Sequence, residues 1–169
     1  MEDERRPEQA QPGIQARIRA SFERQGLMRH LGASGLGHVG PGRVHIVLPN
    51  RREVNQQHGY IHAGATSAIA DSAGGYAAFT LFPENTAVLT VEYKINLLAP
   101  AVGDHIEAVG TVLKSGRTLT VCQLEVFAFQ GPKRSLVAAG QQTLIRVPED
   151  PSSDDLPPAT RRQHGLYSG

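Results

Sequence analysis

Residues 58 to 80 read His-Gly-Tyr-Ile-His-Ala-Gly-Ala-Thr-Ser-Ala-Ile-Ala-Asp-Ser-Ala-Gly-Gly-Tyr-Ala-Ala-Phe-Thr, a helix-length run made mostly of Ala, Gly and Ser. Such a helix has no bulky ridge of its own, so larger side chains from other elements must close over it. That requirement predicts a buried central helix from about His62 to Leu81, entered through a histidine-glycine turn and stopping before Pro83. Its single charged side chain is Asp71. Acids are rarely fully buried unless something pairs with them or uses them, which makes Asp71 the first candidate for chemistry.

The rest of the chain supplies the covering sheet. Ile14, Ile18 and Phe22 recur at helical spacing between Pro12 and about Met28, with Gly26 near the end, and predict a short amphipathic helix. Met28 to Val39 and Arg43 to Pro49 are β-capable segments around Gly40-Pro41-Gly42, a hairpin pattern; Val44, Ile46 and Leu48 alternate with His45 and Val47. Residues 50 to 57 form a polar connection into the central helix. After it, residues 87–98, 104–115, 118–130 and 135–147 are β-rich stretches separated by turn-forming residues and read as an antiparallel meander. In the first of these, Leu89, Val91, Tyr93, Ile95 and Leu97 would form one face and Thr90, Glu92, Lys94 and Asn96 the other. The order is an α+β arrangement, one antiparallel sheet around one helix.

At 169 residues the chain holds one domain, with residues 13–147 as its body. Residues 1–12 are charged or Gln/Pro-rich and 148–169 are dominated by Pro, Ser, Asp and Arg, so both are expected to be disordered or loosely docked tails. Seventeen basic against sixteen acidic residues give a net charge of +1, too weak a field to argue for nucleic acid or an anionic membrane. The lone Cys122 cannot form an internal disulfide, the N-terminus Met-Glu-Asp-Glu-Arg-Arg is charged where a signal peptide would be apolar, and no run approaches transmembrane length. Those features point to a cytoplasmic protein.

Three blocks carry a resemblance to a known family. They are His58-Gly59-Tyr60-Ile61-His62-Ala63-Gly64 leading into Ala70-Asp71-Ser72-Ala73-Gly74, then Val91-Glu92-Tyr93-Lys94-Ile95-Asn96-Leu97-Leu98-Ala99-Pro100, then Lys114-Ser115-Gly116-Arg117-Thr118-Leu119. In this order they resemble the hotdog-fold acyl-CoA thioesterases of the phenylacetate-pathway type, over roughly residues 30–147. The family pattern has Gly-x-x-His-Gly-Gly before the helix and an Asn or similar amide three residues upstream of the first Gly; here Ala63 replaces one glycine, keeping its backbone N–H, and Gln56 stands where that Asn would be. The resemblance implies a hotdog fold, an acyl-CoA or aryl-CoA substrate with coenzyme A as part of substrate and product, no other cofactor, and sites built across a dimer whose sheets continue into each other, often paired again into tetramers. It also implies that Thr90 assists the acid and that Arg117 contacts a coenzyme A phosphate.

Thioester hydrolysis needs a base or nucleophile and donors aimed at the developing oxyanion. Asp71 supplies the first, as general base toward water or as direct nucleophile. The free backbone N–H groups at the start of the helix, on Ala63 and Gly64, supply the second, with His62 and Gln56 orienting. His62 and Asp71 are nine positions apart, which means ~13 Å of rise and opposite helix faces. One helix therefore cannot bring both to one substrate, and an isologous dimer, alone or as a dimer of dimers, is expected to join them.

The same residues admit other readings: a hotdog hydratase or dehydratase of enoyl or hydroxyacyl thioesters, or a non-catalytic acyl-CoA binding module. Gly35-Leu-Gly-His-Val-Gly40 matches a dinucleotide fingerprint but leads into Pro41-Gly42 and a strand in place of a helix. Gly32-Ala-Ser-Gly-Leu lacks the last glycine of a nucleophile elbow, the seven histidines lack metal-ligand spacing, and Cys122 reads as a buried thiol. No metal is expected.

Overall fold

The structure, a computed structural model, describes residues 8–149; residues 1–7 and 150–169 of the two expected tails lie outside the described residues. The chain runs α1 (Pro12–Arg24), α2 (Gly26–Leu31), β1 (Gly35–Gly40), β2 (Arg43–Pro49), a short 3-10 turn (Arg52–Val54), α3 (Ala63–Phe79), β3 (Thr86–Leu97), β4 (His105–Ser115), β5 (Leu119–Gln130) and β6 (Lys133–Pro148). The six strands make one antiparallel sheet in the order β1-β2-β4-β5-β6-β3. Among the described residues no helix is long and apolar enough to cross a membrane.

The sheet closes over α3 as the small-residue run requires. Ile46, Leu48, Ile106, Leu124 and Leu144 from the strands and Ile69, Ala73 and Ala77 from α3 are fully buried. Burying an aliphatic side chain of this size contributes ~1.5–3 kcal/mol. The sheet and α3 approach closely at Gly110 of β4, where an added Cβ would run into the backbone of Ala73 and Gly74. Gly110→Ala is therefore expected to push α3 off the sheet at a cost of ~1–3 kcal/mol, seen as a lower urea midpoint with an unchanged slope.

Both ends of α3 are tied down. Its N-cap is His62. Its C-terminus lacks a left-handed glycine cap, Thr80 being right-handed, and the final carbonyls find another donor. Arg17 of α1 reaches across to Phe79 O (2.8 Å), Phe82 O (2.9 Å) and Pro83 O (3.0 Å), its guanidinium over the Phe79 ring. The β1–β2 turn joins in, since the Gly42 N–H donates to Thr80 Oγ1 at 2.8 Å. At the other end of α1, buried Ala10 donates its N–H to Val39 O (2.9 Å), which ties the chain to β1 before α1 begins.

Three elements differ from the sequence expectation. The expected helix over 12–28 is two helices broken at Gln25, whose ψ of 103° is extended, and α2 carries on to Leu31. The first hairpin arm therefore starts at Gly35, not Met28: Met28 is a buried helix residue, and Gly32 at φ 72° ends α2. A short apolar run such as this has no period long enough to separate helix from strand. The four-strand meander is only β4–β5–β6; β3 lies beyond β6 at the far edge and β4 pairs with β2. The links explain this. Residues 116–118 and 131–132 make tight hairpins, whereas residues 98–104 between β3 and β4 are too many for the favoured hairpin loops and carry the chain to the other half of the sheet.

Candidate active site

Asp71 lies in the middle of α3 on the flank that faces the β3–β6 edge, where its side chain is half-buried. Thr90 Oγ1 of β3 donates to Asp71 Oδ1 at 2.7 Å, and Gln142 Nε2 of β6 donates to the same oxygen at 2.6 Å. The Gln142 amide also lies 3.0 Å from Thr90 Oγ1 and 3.2 Å from the Asp71 carbonyl. Asp71 Oδ2 has no hydrogen bond among the described residues. One carboxylate oxygen is thus fixed by two neutral donors and the other is left for a ligand.

A β-bulge delivers Thr90 to this position. Directly paired residues share a sheet face, and on β6 buried Gln142 and Leu144 face α3. Thr90 pairs with Leu144, while Tyr93 pairs with Gln142 and Ile95 with Gly140, because Val91 is an extra residue between Thr90 and Glu92. Val88 and Thr90 therefore face the helix before the bulge, and Tyr93, Ile95 and Leu97 after it. The single apolar face expected for Leu89 through Leu97 is broken at Val91, and Leu89 lies on the opposite face from Tyr93.

At the N-terminal end of α3, Gly59 turns the chain at φ 82°, and His62 N donates to Val54 O at 2.8 Å. The His62 ring caps the helix, with Nδ1 accepting from Gly64 N at 2.8 Å. Of the two expected oxyanion donors, the Gly64 N–H is thus occupied by His62. The Ala63 N–H has no partner among the described residues. Gln56 holds the turn, its Oε1 accepting from His58 N and its N–H donating to Tyr60 O at 2.8 Å. His58 is an exposed turn residue.

Two cavities flank these groups. One of about 770 Å³ is lined by Asp71, Thr90, Ser72, Tyr76, Leu89 and residues of α1. The other, of about 580 Å³, is lined by His62, Ala63, Gln56, Tyr60, Leu97 and Pro100. They share no lining residue and open at opposite ends of β3. Within one chain the acid and the helix N-terminus are therefore kept apart, as their spacing along α3 predicts. Arg117 is exposed in the β4–β5 turn and lines neither cavity; its carbonyl accepts from Arg146 at 2.6 Å. The strand register sets that turn at the Asp71 end of the sheet, with Leu119 beside Ile145 and Ile145 beside Leu89.

Sequence reasoning missed two contributors. Gln142 is 1 % exposed, and the period of β6, with Ala138, Gly140 and Leu144 on the same face, marks it as a polar residue at a core position. The other is the end of α1 and the break after it, which line the Asp71 cavity with Ser21, Arg24 and Gln25; Ser72 Oγ donates to Gln25 Oε1 at 3.2 Å. Beside it, burial pushes the Tyr76 phenol above its usual pKa, partly offset by its hydrogen bond with Ser21. Cys122 is a buried thiol as expected, with burial pushing its pKa up to about 12. Among the described residues no three His, Cys, Asp or Glu side chains group as a metal site.

Comparison with known proteins agrees with this architecture. Residues 58–134 match the family model described as Thioesterase superfamily. The crystal structure of a thioesterase family protein from Silicibacter pomeroyi is 43% identical, with a TM-score of 0.78 over 80% of this chain and 99% of that one. A relative from Saccharolobus solfataricus named "Putative esterase" is 34% identical over 108 residues, 63% of this chain and 74% of its own. The PaaI protein of the E. coli phenylacetic acid degradation operon, at 20% identity, shares the fold with a TM-score of 0.71 over 80% of this chain and 94% of that one. With one antiparallel sheet wrapped around a small-residue helix and relatives at this level of identity, the chain is a hotdog-fold member of the thioesterase superfamily, a family of hydrolases.

Proposed function

We propose that this protein hydrolyses small to medium acyl-CoA or aryl-CoA thioesters to the free acid and coenzyme A, in active sites shared between two copies of the chain. The observation that carries this reading is the placement of the two cavities at opposite ends of one open edge strand. β3 has β6 on one side and, among the described residues, an unpaired edge on the other, with Val91, Tyr93 and Leu97 exposed. A long apolar edge of this kind is a liability unless it is paired. If a second copy adds its β3 antiparallel about a two-fold axis near Tyr93 and Lys94, the Leu97 end of one copy lies beside the Thr90 end of the other. The helix N-terminus of one subunit then meets Asp71 of its partner, twice per dimer.

In such a site the thioester carbonyl oxygen points at the Ala63 N–H and the α3 dipole, which favour the negative charge that develops there. The Gly64 N–H joins once the His62 ring turns aside. Asp71 Oδ2 serves the attack by one of two routes. As base it takes a proton from water while the water oxygen bonds to the carbonyl carbon; as nucleophile it bonds to that carbon itself, giving an anhydride that water then opens. In both, the C–S bond breaks and coenzyme A leaves as the thiolate, which takes its proton from the protonated Asp71 in the first route and from water in the second. Thr90 holds Asp71, Gln56 and His62 hold the turn, and Arg117 is assigned to a coenzyme A phosphate. No metal or redox group is called for by this chemistry.

The test is release of free thiol from a panel of short, long and aromatic acyl-CoA thioesters, together with sedimentation of the purified protein. Turnover of at least one class by a dimer or larger assembly is expected. Binding of thioesters without thiol release would favour a hydratase or a binding module, and a fully active monomer would end the shared-site reading.

A further inference from the structure

We propose that Gln142 is the positioning residue for Asp71, aiming its free oxygen at the substrate; this rests on the reading of Asp71 as the reacting acid. Gln142 lies on the core face of β6, where its neighbours on that face are Gly140 and Leu144, and it is 1 % exposed. Its two amide hydrogens serve three acceptors, Asp71 Oδ1 at 2.6 Å, Thr90 Oγ1 at 3.0 Å and the Asp71 carbonyl at 3.2 Å. Its own Oε1 is buried without a hydrogen-bond partner among the described residues.

That orphaned oxygen argues against a purely structural role. A leucine or methionine at 142 would fill the same core and leave no polar atom unpaired, and an unpaired buried acceptor carries a desolvation cost. The helix also makes room for the amide. A Cβ at Gly74 would run into Gln142 Oε1 and the Leu124 side chain, so glycine at 74 opens the notch in which the amide sits. Two departures from a well-packed core, an orphan acceptor and a mid-helix glycine, are thus spent on one contact.

What that contact achieves follows from its chemistry. The amide is a neutral donor, so it holds the carboxylate without neutralising it as a lysine or arginine would. With Thr90 it occupies Oδ1 from two directions and fixes the plane of the carboxylate. Because Gln142 also bonds the Asp71 carbonyl, it ties the side chain to the helix backbone. Rotation about the Asp71 side chain is thereby restrained, and Oδ2 is held facing the cavity.

The experiment measures kcat and KM of wild type, Gln142→Met, Gln142→Glu and Asp71→Asn on the best thioester of the panel, with thermal midpoints for each. Gln142→Met keeps the shape and loses both the donor and the orphan. It is expected to retain or raise the thermal midpoint, with kcat down ~10-fold or more and KM within about twofold, as for a misaimed catalytic group. Gln142→Glu regains a donor only when its carboxyl is protonated, so its kcat relative to wild type is expected to rise as pH falls. Loss of turnover in Asp71→Asn with wild-type kcat in folded Gln142→Met overturns this proposal alone, as does a Gln142→Glu ratio independent of pH. Full turnover in Asp71→Asn overturns the reading of Asp71 and the proposal with it.

Discussion

Asp71→Asn is expected to lower kcat by ~10²–10⁴-fold while leaving the fold intact, the usual range for removing a general base. The substitution is isosteric, and the asparagine carbonyl can still accept from Thr90 and Gln142 at the position of Oδ1. What changes is the other atom. The amide nitrogen would replace Oδ2, turning the group that faces the cavity from an acceptor into a donor that can neither take a proton from water nor attack carbon. Thiol release and a thermal melt on the same preparation decide the matter. Buried Cys122, its thiol pushed up to about 12, leaves little protein thiol to compete for the reporter reagent. An unchanged kcat in the folded variant would remove Asp71 from the chemistry.

Ala63→Pro is expected to cost ~10²–10³-fold in kcat, the size found when one oxyanion-hole donor is lost. The substitution is unusually clean here. Ala63 is the first residue of α3, where proline is favoured because the N–H has no intrahelical partner. His62, before it, is at φ −64° and ψ 140°, the extended conformation that a residue preceding proline prefers. The variant therefore loses one N–H and little else, and its melting temperature should stay near that of wild type. Co-expression with Asp71→Asn gives the second readout. If each site joins one subunit's helix N-terminus to the partner's acid, mixed dimers hold one intact site, and random pairing restores about a quarter of wild-type turnover. No recovery from two inactive, folded variants that form mixed dimers would overturn the shared site.

The parts of the fold that were legible in the sequence are those specified by local pattern. The small-residue run marked α3, alternation marked β2, and tight turns marked β4 through β6, because each is written in residues close together in the chain. The position of β3 was not, since strand pairing depends on partners some fifty residues away and the alternation along β3 fits either neighbour. Its loop length was the available clue. The Val91 bulge left no trace at all in the alternation, and it decides which way Thr90 points. For the site, Asp71 and His62 stood out as polar residues in or at the mouth of an apolar helix. Gln142 did not, although a glutamine at a core position of β6 was readable once the strand's inward face was assigned.

The order of strands also sets the timetable of assembly. β3 is made early, yet its only partner among the described residues is β6, the last strand made, so for about forty residues of synthesis it has nowhere in its own chain to go. β4 is likewise matched to β2 across the whole of α3 and β3. Pairings this distant are slow to close, since loop entropy is lost before contacts reward it. α3, with no bulky ridge to bury, cannot hold a partial core in the meantime. β6 then arrives as a keystone, pairing with β5 and β3 and carrying Gln142 to Asp71 in one step. A nascent chain stopped inside β6 would thus carry a bare apolar strand and no acid held in place, a species for a chaperone to hold and a protease to recognise.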